Sequence, residues 1–204
     1  MRRRICLFLP VAEQVRYASA IFCYSIVVWS CRAKAMLSFV PASLHRHALY
    51  LAHRLRLVWW SWRKPEVHGC NAIVCNSGGE VLLVRHSYQT PERWMLPGGG
   101  MGRRETAEIA AARELKEEVG CRMVDAKCFW IDVVDVCGAR NHVHLVAGRS
   151  DDLPVADQRE VIAAEFYAPD ALPEMTARTA RARIERWLDQ SAVDGLGQPG
   201  PALG

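Results

Sequence analysis

Between residues 105 and 118 the sequence has five glutamates and one arginine, and Glu105, Arg113, Glu114, Glu117 and Glu118 are those whose types and spacing could do chemistry. On a helix, positions i, i+3 and i+4 are neighbours, so Glu114 sits beside both Glu117 and Glu118, and each like-charged pair costs a few tenths of a kcal/mol. At helical spacing these three fall within an arc of about 100°, while Ala111, Leu115 and Val119 form a separate apolar face suited to a sheet. Charge-rich helical stretches are ordinarily solvated surfaces. The crowding gains a purpose if a cation neutralises it, since hard divalent ions such as Mg²⁺ prefer oxygen ligands.

The neighbouring segments supply the means of positioning these groups. Upstream lies "QTPERWMLPGGGMGRR", where Pro97 and three consecutive glycines are expected to forbid regular structure. That loop, Gly98-Gly99-Gly100, can bring its backbone close to the carboxylates without side-chain obstruction and shape a metal and phosphate environment. Thr106 is placed to cap the helix, Glu108 sits favourably in its first turn, and Gly120 fits the left-handed position past its end. Before the loop, "VHGCNAIVCN" and "EVLLVRHSY" read as a hairpin joined by Ser77-Gly78-Gly79. After the helix, "AKCFWIDVVDV" and "HVHLVAGRS", separated by residues 138–141, read as two further strands. "EVIAAEFYAPDALPE" offers a short strand and a turn, and "ARTARARIERWLD" a second helix with Ile184, Trp187 and Leu188 inward. Strands, helix, strands, helix predict an α+β fold in which helices cover a mixed sheet.

The chain of 204 residues, 50% hydrophobic, has room for one ordinary catalytic domain plus appendages. Its net charge of +4, concentrated in the first 64 residues, does not demand a nucleic-acid partner. Eight cysteines without a CxxC pair signal neither a zinc knuckle nor a redox dithiol, and buried free thiols of a reducing cytosol are the expectation. The division read along the chain is 1–35, an apolar extension; 36–64, a basic amphipathic helix; 65–190, the main domain; and 191–204, a loose tail. Residues 17–31 carry no charge, which is short for a membrane span. Three readings stand for them: a membrane-associating segment, a cleaved signal, or a gene start called too early, with Met36 as initiator. Within "SLHRHALYLAHRLRLVWWSWRK", Leu44, Ala48, Leu51, Leu55, Val58 and Trp62 recur at helical spacing. The leading expectation is that this stripe packs on the domain. An interfacial anchor through Trp59, Trp60 and Trp62 is the alternative.

From Gly99 to Cys121 the spacing is G-x5-E-x7-R-E-U-x-E-E-x-G-U, where U is aliphatic, and this resembles the Nudix box. The approach Trp94-x-Leu96-Pro97-Gly98-Gly99 and the segment "EFYAPDALP" extend the resemblance from about Val67 to Leu188. Arg104 stands where many members have glycine, and Cys121 replaces the terminal aliphatic residue. The resemblance implies a Nudix-like α/β/α sandwich with a mixed sheet, preceded here by an N-terminal helical extension. It implies hydrolysis of a phosphoanhydride in a nucleoside diphosphate linked to another moiety, with Mg²⁺ or Mn²⁺ held by Glu114, Glu117 and Glu118; the cytoplasm is the compartment expected from the free thiols. Arg113 would orient neighbouring glutamates, and Glu105 would join that ion-pair arrangement. The general base differs among subfamilies, and Glu160 and Glu165 are the later candidates.

Substrate contacts are expected from Gly98, Gly99 and Gly100, with Arg85 and Trp94 as further candidates; Trp94 could stack on a base or pack beneath the loop. His86 is open between facing the phosphates and ending its strand, and His142 and His144 between a metal pair and sheet or substrate contacts. Subfamily marks for ADP-ribose, dinucleoside polyphosphates, NADH or coenzyme A are absent. Nucleoside triphosphates, nucleotide sugars and ADP-ribose-like compounds therefore stand together as the small-molecule partner. No specific nucleic acid is expected, while membrane-surface contact through 17–62 and an oligomer stay open. The rival class is a non-catalytic Nudix-like module that senses a nucleotide.

Overall fold

The β-branched runs on either side of Asn76 have apolar residues on both faces, so they need covering above and below. A computed structural model, describing residues 50, 51, 54, 55, 58–87, 90–158 and 160–193, provides that cover. The readings of 17–31, of Leu44 and Ala48, and of the tail beyond 193 fall outside the described residues. Strands β1 (Glu66–Cys75), β2 (Val81–His86), β3 (Gly98–Gly100), β4 (Val124–Val136), β5 (Ala139–Arg149) and β6 (Val161–Tyr167) form one sheet. Its order is β4-β5-β1-β2-β6, with β3 added to β1. β1 and β5 run parallel from Glu66↔Arg140 to Cys75↔Arg149, and the other pairs are antiparallel, so the sheet is mixed. Helices α1 (Ala107–Val119) and α2 (Arg178–Val193) cover its two faces. This is the expected α+β, α/β/α sandwich.

The alternation of β1 divides its side chains between the two layers. Cys70, Ala72 and Val74 meet Ala107, Ala110, Ala111, Leu115 and Val119 of α1. Ile73 and Cys75 meet Ala180 and Ile184 of α2, with Trp187 and Leu188 packed around them. Burying Leu115 and Val119 contributes about 1.5–3 kcal/mol each, and the three alanines let α1 lie close to the strands.

The local signals for α1 hold. Thr106 accepts from the Ile109 N–H at 3.4 Å, and Gly120, at φ 76°, sends its N–H to the Lys116 carbonyl. Elsewhere the structure corrects the sequence reading. Cys137 (φ 48°) and Gly138 (φ 84°) make a two-residue hairpin turn, so β5 begins at Ala139, inside the segment read as a loop. α2 continues through Ser191 to Val193, past the point where the tail was expected to loosen.

The chief corrections concern the glycines and the N-terminal stripe. Gly98–Gly100 is a strand, with Asn71↔Gly98, Cys70↔Gly99 and Gly69↔Gly100 in register. Glycine suits that strand because the neighbouring groups leave no room for a Cβ. Residues 50, 51, 54, 55 and 58–63 are helical, but Leu51, Leu55, Val58 and Trp62 face outward. Trp60 instead is buried, against Val67, Val136 and Ala139. The stripe was misassigned because periodicity locates an apolar face without naming what lies against it. Among the described residues no helix is long and apolar enough to cross a membrane, and Cys70, Cys75, Cys121, Cys128 and Cys137 are free thiols.

Candidate active site

α1 and β3 hold the carboxylates between them. At Gly99 a Cβ would lie 2.1 Å from Cδ of Glu114 and 2.2 and 2.5 Å from its oxygens. At Gly98 a Cβ would lie 2.2 Å from the Cys70 carbonyl oxygen and 2.6 Å from Nδ2 of Asn71. The absence of side chains on β3 therefore admits the Glu114 carboxylate, which is wholly buried. Glu118, 4% exposed, accepts the Gly98 N–H through Oε2 at 3.3 Å. Cys70 donates its thiol to the Gly99 carbonyl at 3.7 Å, and burial pushes that thiol up to about 12, so it stays protonated.

Arg113 organises the remaining carboxylates. Its Nε and Nη2 donate to the two oxygens of Glu105 at 2.8 and 2.9 Å, a bidentate pair. Nη1 donates to Oε1 of Glu114 at 2.7 Å, Nη2 also reaches the Gly100 carbonyl at 2.9 Å, and Oε2 of Glu117 lies 4.0 Å from Nη1. Glu105 further accepts the Gly102 N–H at 2.9 Å, which closes the loop between β3 and α1. The hydrogen bonds from Arg113 hold the Glu105 carboxyl below its ordinary range, and those to Glu105 raise the guanidinium in turn. Arg104 is exposed and has no positive φ, so the loop closes without a glycine there.

Ionised, four carboxylates and one guanidinium carry −4 + 1 = −3. The donor set contains only oxygen and suits a hard divalent cation in its chemistry. In their present arrangement the side chains are tied to Arg113 and Gly98. Among the described residues no group of three His, Cys, Asp or Glu is already arranged to hold a metal ion. Glu105, Arg113, Glu114, Glu117, Glu118 and the three glycines are thus brought together.

The other candidates lie elsewhere. Arg85 and Trp94 are on the α2 side of the sheet, opposite α1. The Trp94 ring, 8% exposed, packs with Ile73 and Leu83, has the Arg85 guanidinium 5.0 Å from its centroid, and meets Tyr167 edge-on at 5.0 Å. Of the two roles weighed for Trp94, this placement is the packing one. Glu165 pairs in register with Leu83 on that same face and accepts the Tyr167 hydroxyl at 2.7 Å. Glu160 precedes β6, its N–H bonded to Asp157. His86 is 1% exposed, and burial lowers its pKa to about 3, so it is neutral at pH 7 and offers no charge to a phosphate. His142 and His144 join a third imidazole: His68 stacks on His142 with centroids 4.7 Å apart, and its Nδ1 lies 3.4 Å from Nε2 of His144.

One supporting arrangement escaped the sequence reading. Arg183 of α2, 6% exposed, pairs with Asp132 of β4 at 3.0 Å and donates to Oδ1 of Asn71, the register partner of Gly98. It ties α2 to the strand behind the glycines. An arginine in an "ARARIERW" helix carries no local mark of such a bond.

Comparison with known proteins bears on the fold and its family. The chain is 46% identical over 55 residues to an RNA pyrophosphohydrolase of Pseudomonas paraeruginosa, covering 27% of this chain and 33% of that protein. It is 38% identical over 58 residues to one of Rhodospirillum rubrum, covering 28% and 34%. The matched part thus spans about a third of these curated relatives. Among solved structures, a MutT NUDIX hydrolase from Burkholderia pseudomallei superposes with TM-score 0.51 at 25% identity, covering 59% of this chain and 96% of the other. The MutT protein of Methanosarcina mazei superposes with TM-score 0.52 at 23% identity, covering 63% and 97%, a likeness of fold. The NUDIX domain model matches residues 67–188, the span that holds α1, every strand but the first residue of β1, and α2 as far as Leu188, and the chain belongs to the NUDIX family.

Proposed function

We propose that the chain is a Nudix-type pyrophosphatase that hydrolyses a phosphoanhydride in a nucleoside diphosphate linked to another moiety, with Mg²⁺ or Mn²⁺ as cofactor. The observation that carries this reading is the clustering of Glu114 and Glu118 against β3, with Arg113 bracing Glu105 and Glu114 and lying 4.0 Å from Glu117. Glu114, Glu117 and Glu118 would hold the ion. When bound, it would screen diphosphate charge, polarise phosphorus and lower the pKa of the attacking water. Arg113 keeps the carboxylates apart and oriented, at the cost of four donor contacts committed to structure. β3 presents backbone rather than side chains to an incoming phosphate, and the Gly98 N–H fixes Glu118. Glu160 stays a candidate proton acceptor, while Glu165 faces the opposite side of the sheet and is the weaker one.

The substrate class is read more coarsely. Nucleoside triphosphates, nucleotide sugars and ADP-ribose-like compounds remain the small-molecule candidates, and the cytoplasm is the assigned compartment. The short matches to RNA pyrophosphohydrolases add a 5′-triphosphorylated RNA end to the set. The test measures phosphate, pyrophosphate or nucleoside monophosphate release across that panel, with and without Mg²⁺ or Mn²⁺, for wild type, Glu117→Gln and Glu118→Gln. Metal-dependent turnover that drops at least 10–100-fold in both variants is expected, on the scale of losing support for a metal site. Nucleotide binding without cleavage by wild type would replace this reading with the sensing module.

A further inference from the structure

The helical residues 50, 51, 54, 55 and 58–63 turn Leu51, Leu55, Val58 and Trp62 away from the domain. At 100° per residue, Leu51, Leu55, Val58 and Trp62 fall within an arc of about 60°, and Trp60 lies roughly opposite. Among the described residues of this helix Trp60 is the one buried in the domain, at 1% exposure, whereas Trp62 is 77% exposed. Tyr50 and Trp59 flank the outward arc and are half exposed. Arg54 lies over the Tyr50 ring at 5.9 Å and Arg63 over Trp62 at 5.8 Å, so cationic heads accompany the aromatic rings at the helix surface.

The charge of the sequence that carries this face has one sign. Between Glu13 and Glu66 the sequence has no acidic residue and eight basic ones: Arg16, Arg32, Lys34, Arg46, Arg54, Arg56, Arg63 and Lys64. A surface helix with an apolar centre, Tyr50 and Trp59 at its flanks, Arg54 and Arg63 over its rings and a basic stretch of sequence around it matches the boundary between anionic headgroups and acyl chains. A nucleic acid would satisfy the cations but gain little from Leu51, Leu55 and Val58.

We propose that the outward face of residues 50–63 binds the surface of an anionic phospholipid bilayer and lays the hydrolase domain against it. The helix lies in the interface and does not cross it. Trp60 docks on the β4–β5 end of the sheet while Leu55, Val58 and Trp62 enter the lipid. This inference is independent of the hydrolytic reading, because none of these residues belongs to the site on α1.

The experiment is flotation of the full chain with phosphatidylcholine vesicles with and without phosphatidylglycerol, at low and high salt. Wild type should float with the anionic vesicles, and less so at high salt. Leu55→Ser/Val58→Ser/Trp62→Ser should lose binding more than tenfold. Arg54→Gln/Arg63→Gln should lose it about 25-fold, from roughly five-fold per cationic side chain near such a surface. Trp60 is intact in both variants, so unchanged thermal unfolding confirms that the domain is folded. Three results would overturn the proposal: no flotation of wild type, undiminished flotation of the serine variant, or a dimer by light scattering that the serine variant dissolves while no vesicle is bound. Preference for a single-stranded RNA over the vesicles would also overturn it.

Discussion

Substituting Gly99 by alanine tests whether β3 is glycine because of Glu114. All three nearest atoms to a Cβ at that position belong to the Glu114 carboxylate, at 2.1–2.5 Å, where ordinary contact begins near 3.4 Å. Glu114 cannot swing clear at no cost, because it is buried and held by Arg113 at 2.7 Å. Overpacking of this kind costs about 1–3 kcal/mol. Against that, alanine restricts the unfolded chain and contributes about 0.4–1 kcal/mol of stability. Gly99→Ala should therefore destabilise by about 0–2.5 kcal/mol in the wild-type background. In a Glu114→Ala background the obstruction is gone and only the unfolded-state term remains, so the same substitution should be neutral or stabilising. Urea unfolding of the four proteins measures this, with slopes checked for constancy and the coupling read from the double-mutant cycle. The expected coupling is about 1–3 kcal/mol, the size of the clash. Equal effects of Gly99→Ala in the two backgrounds would refute the reasoning and leave the glycine unexplained by Glu114.

Two further outcomes follow from the same structure. His86 is neutral in the folded protein with a pKa of about 3, against an ordinary value of 6.5, so the unfolded chain takes up the proton first as the pH falls. Its contribution is fully present above 6.5 and is lost between 6.5 and about 3, at up to about 1.4 kcal/mol per pH unit; denaturation at pH 7 and 5.5 should show a flatter dependence in His86→Leu, and an identical slope would count against it. Trp60→Ala removes the side chain that docks residues 50–63, a change worth about 3–5 kcal/mol in a closed core. The helix can undock instead of leaving a cavity, so trypsin should cut after Arg63 in the variant under conditions that spare wild type, and equal resistance would show that Trp60 is not the anchor.

The sequence by itself determined the chemistry-bearing helix. Spacing placed Glu114, Glu117 and Glu118 on one side and Ala111, Leu115 and Val119 on another; Thr106 and Gly120 marked its ends, because capping and periodicity act within a few residues. The fold was legible as a class, since β-branched runs with apolar residues on both faces must be covered above and below, whereas the strand order was not. Tertiary structure decided the rest through contacts between distant residues. Gly98–Gly100 became a strand only because β1 offers it partners and Glu114 needs the space. Trp94, next in sequence to the glycine approach, points to the opposite layer because its segment bridges to Val84 and Thr176. Arg183 reaches Asn71 across 112 positions, a bond that no local pattern encodes. The stripe of residues 51–62 shows the same division: periodicity gave it a face, and only the docking of Trp60 decided that this face looks outward.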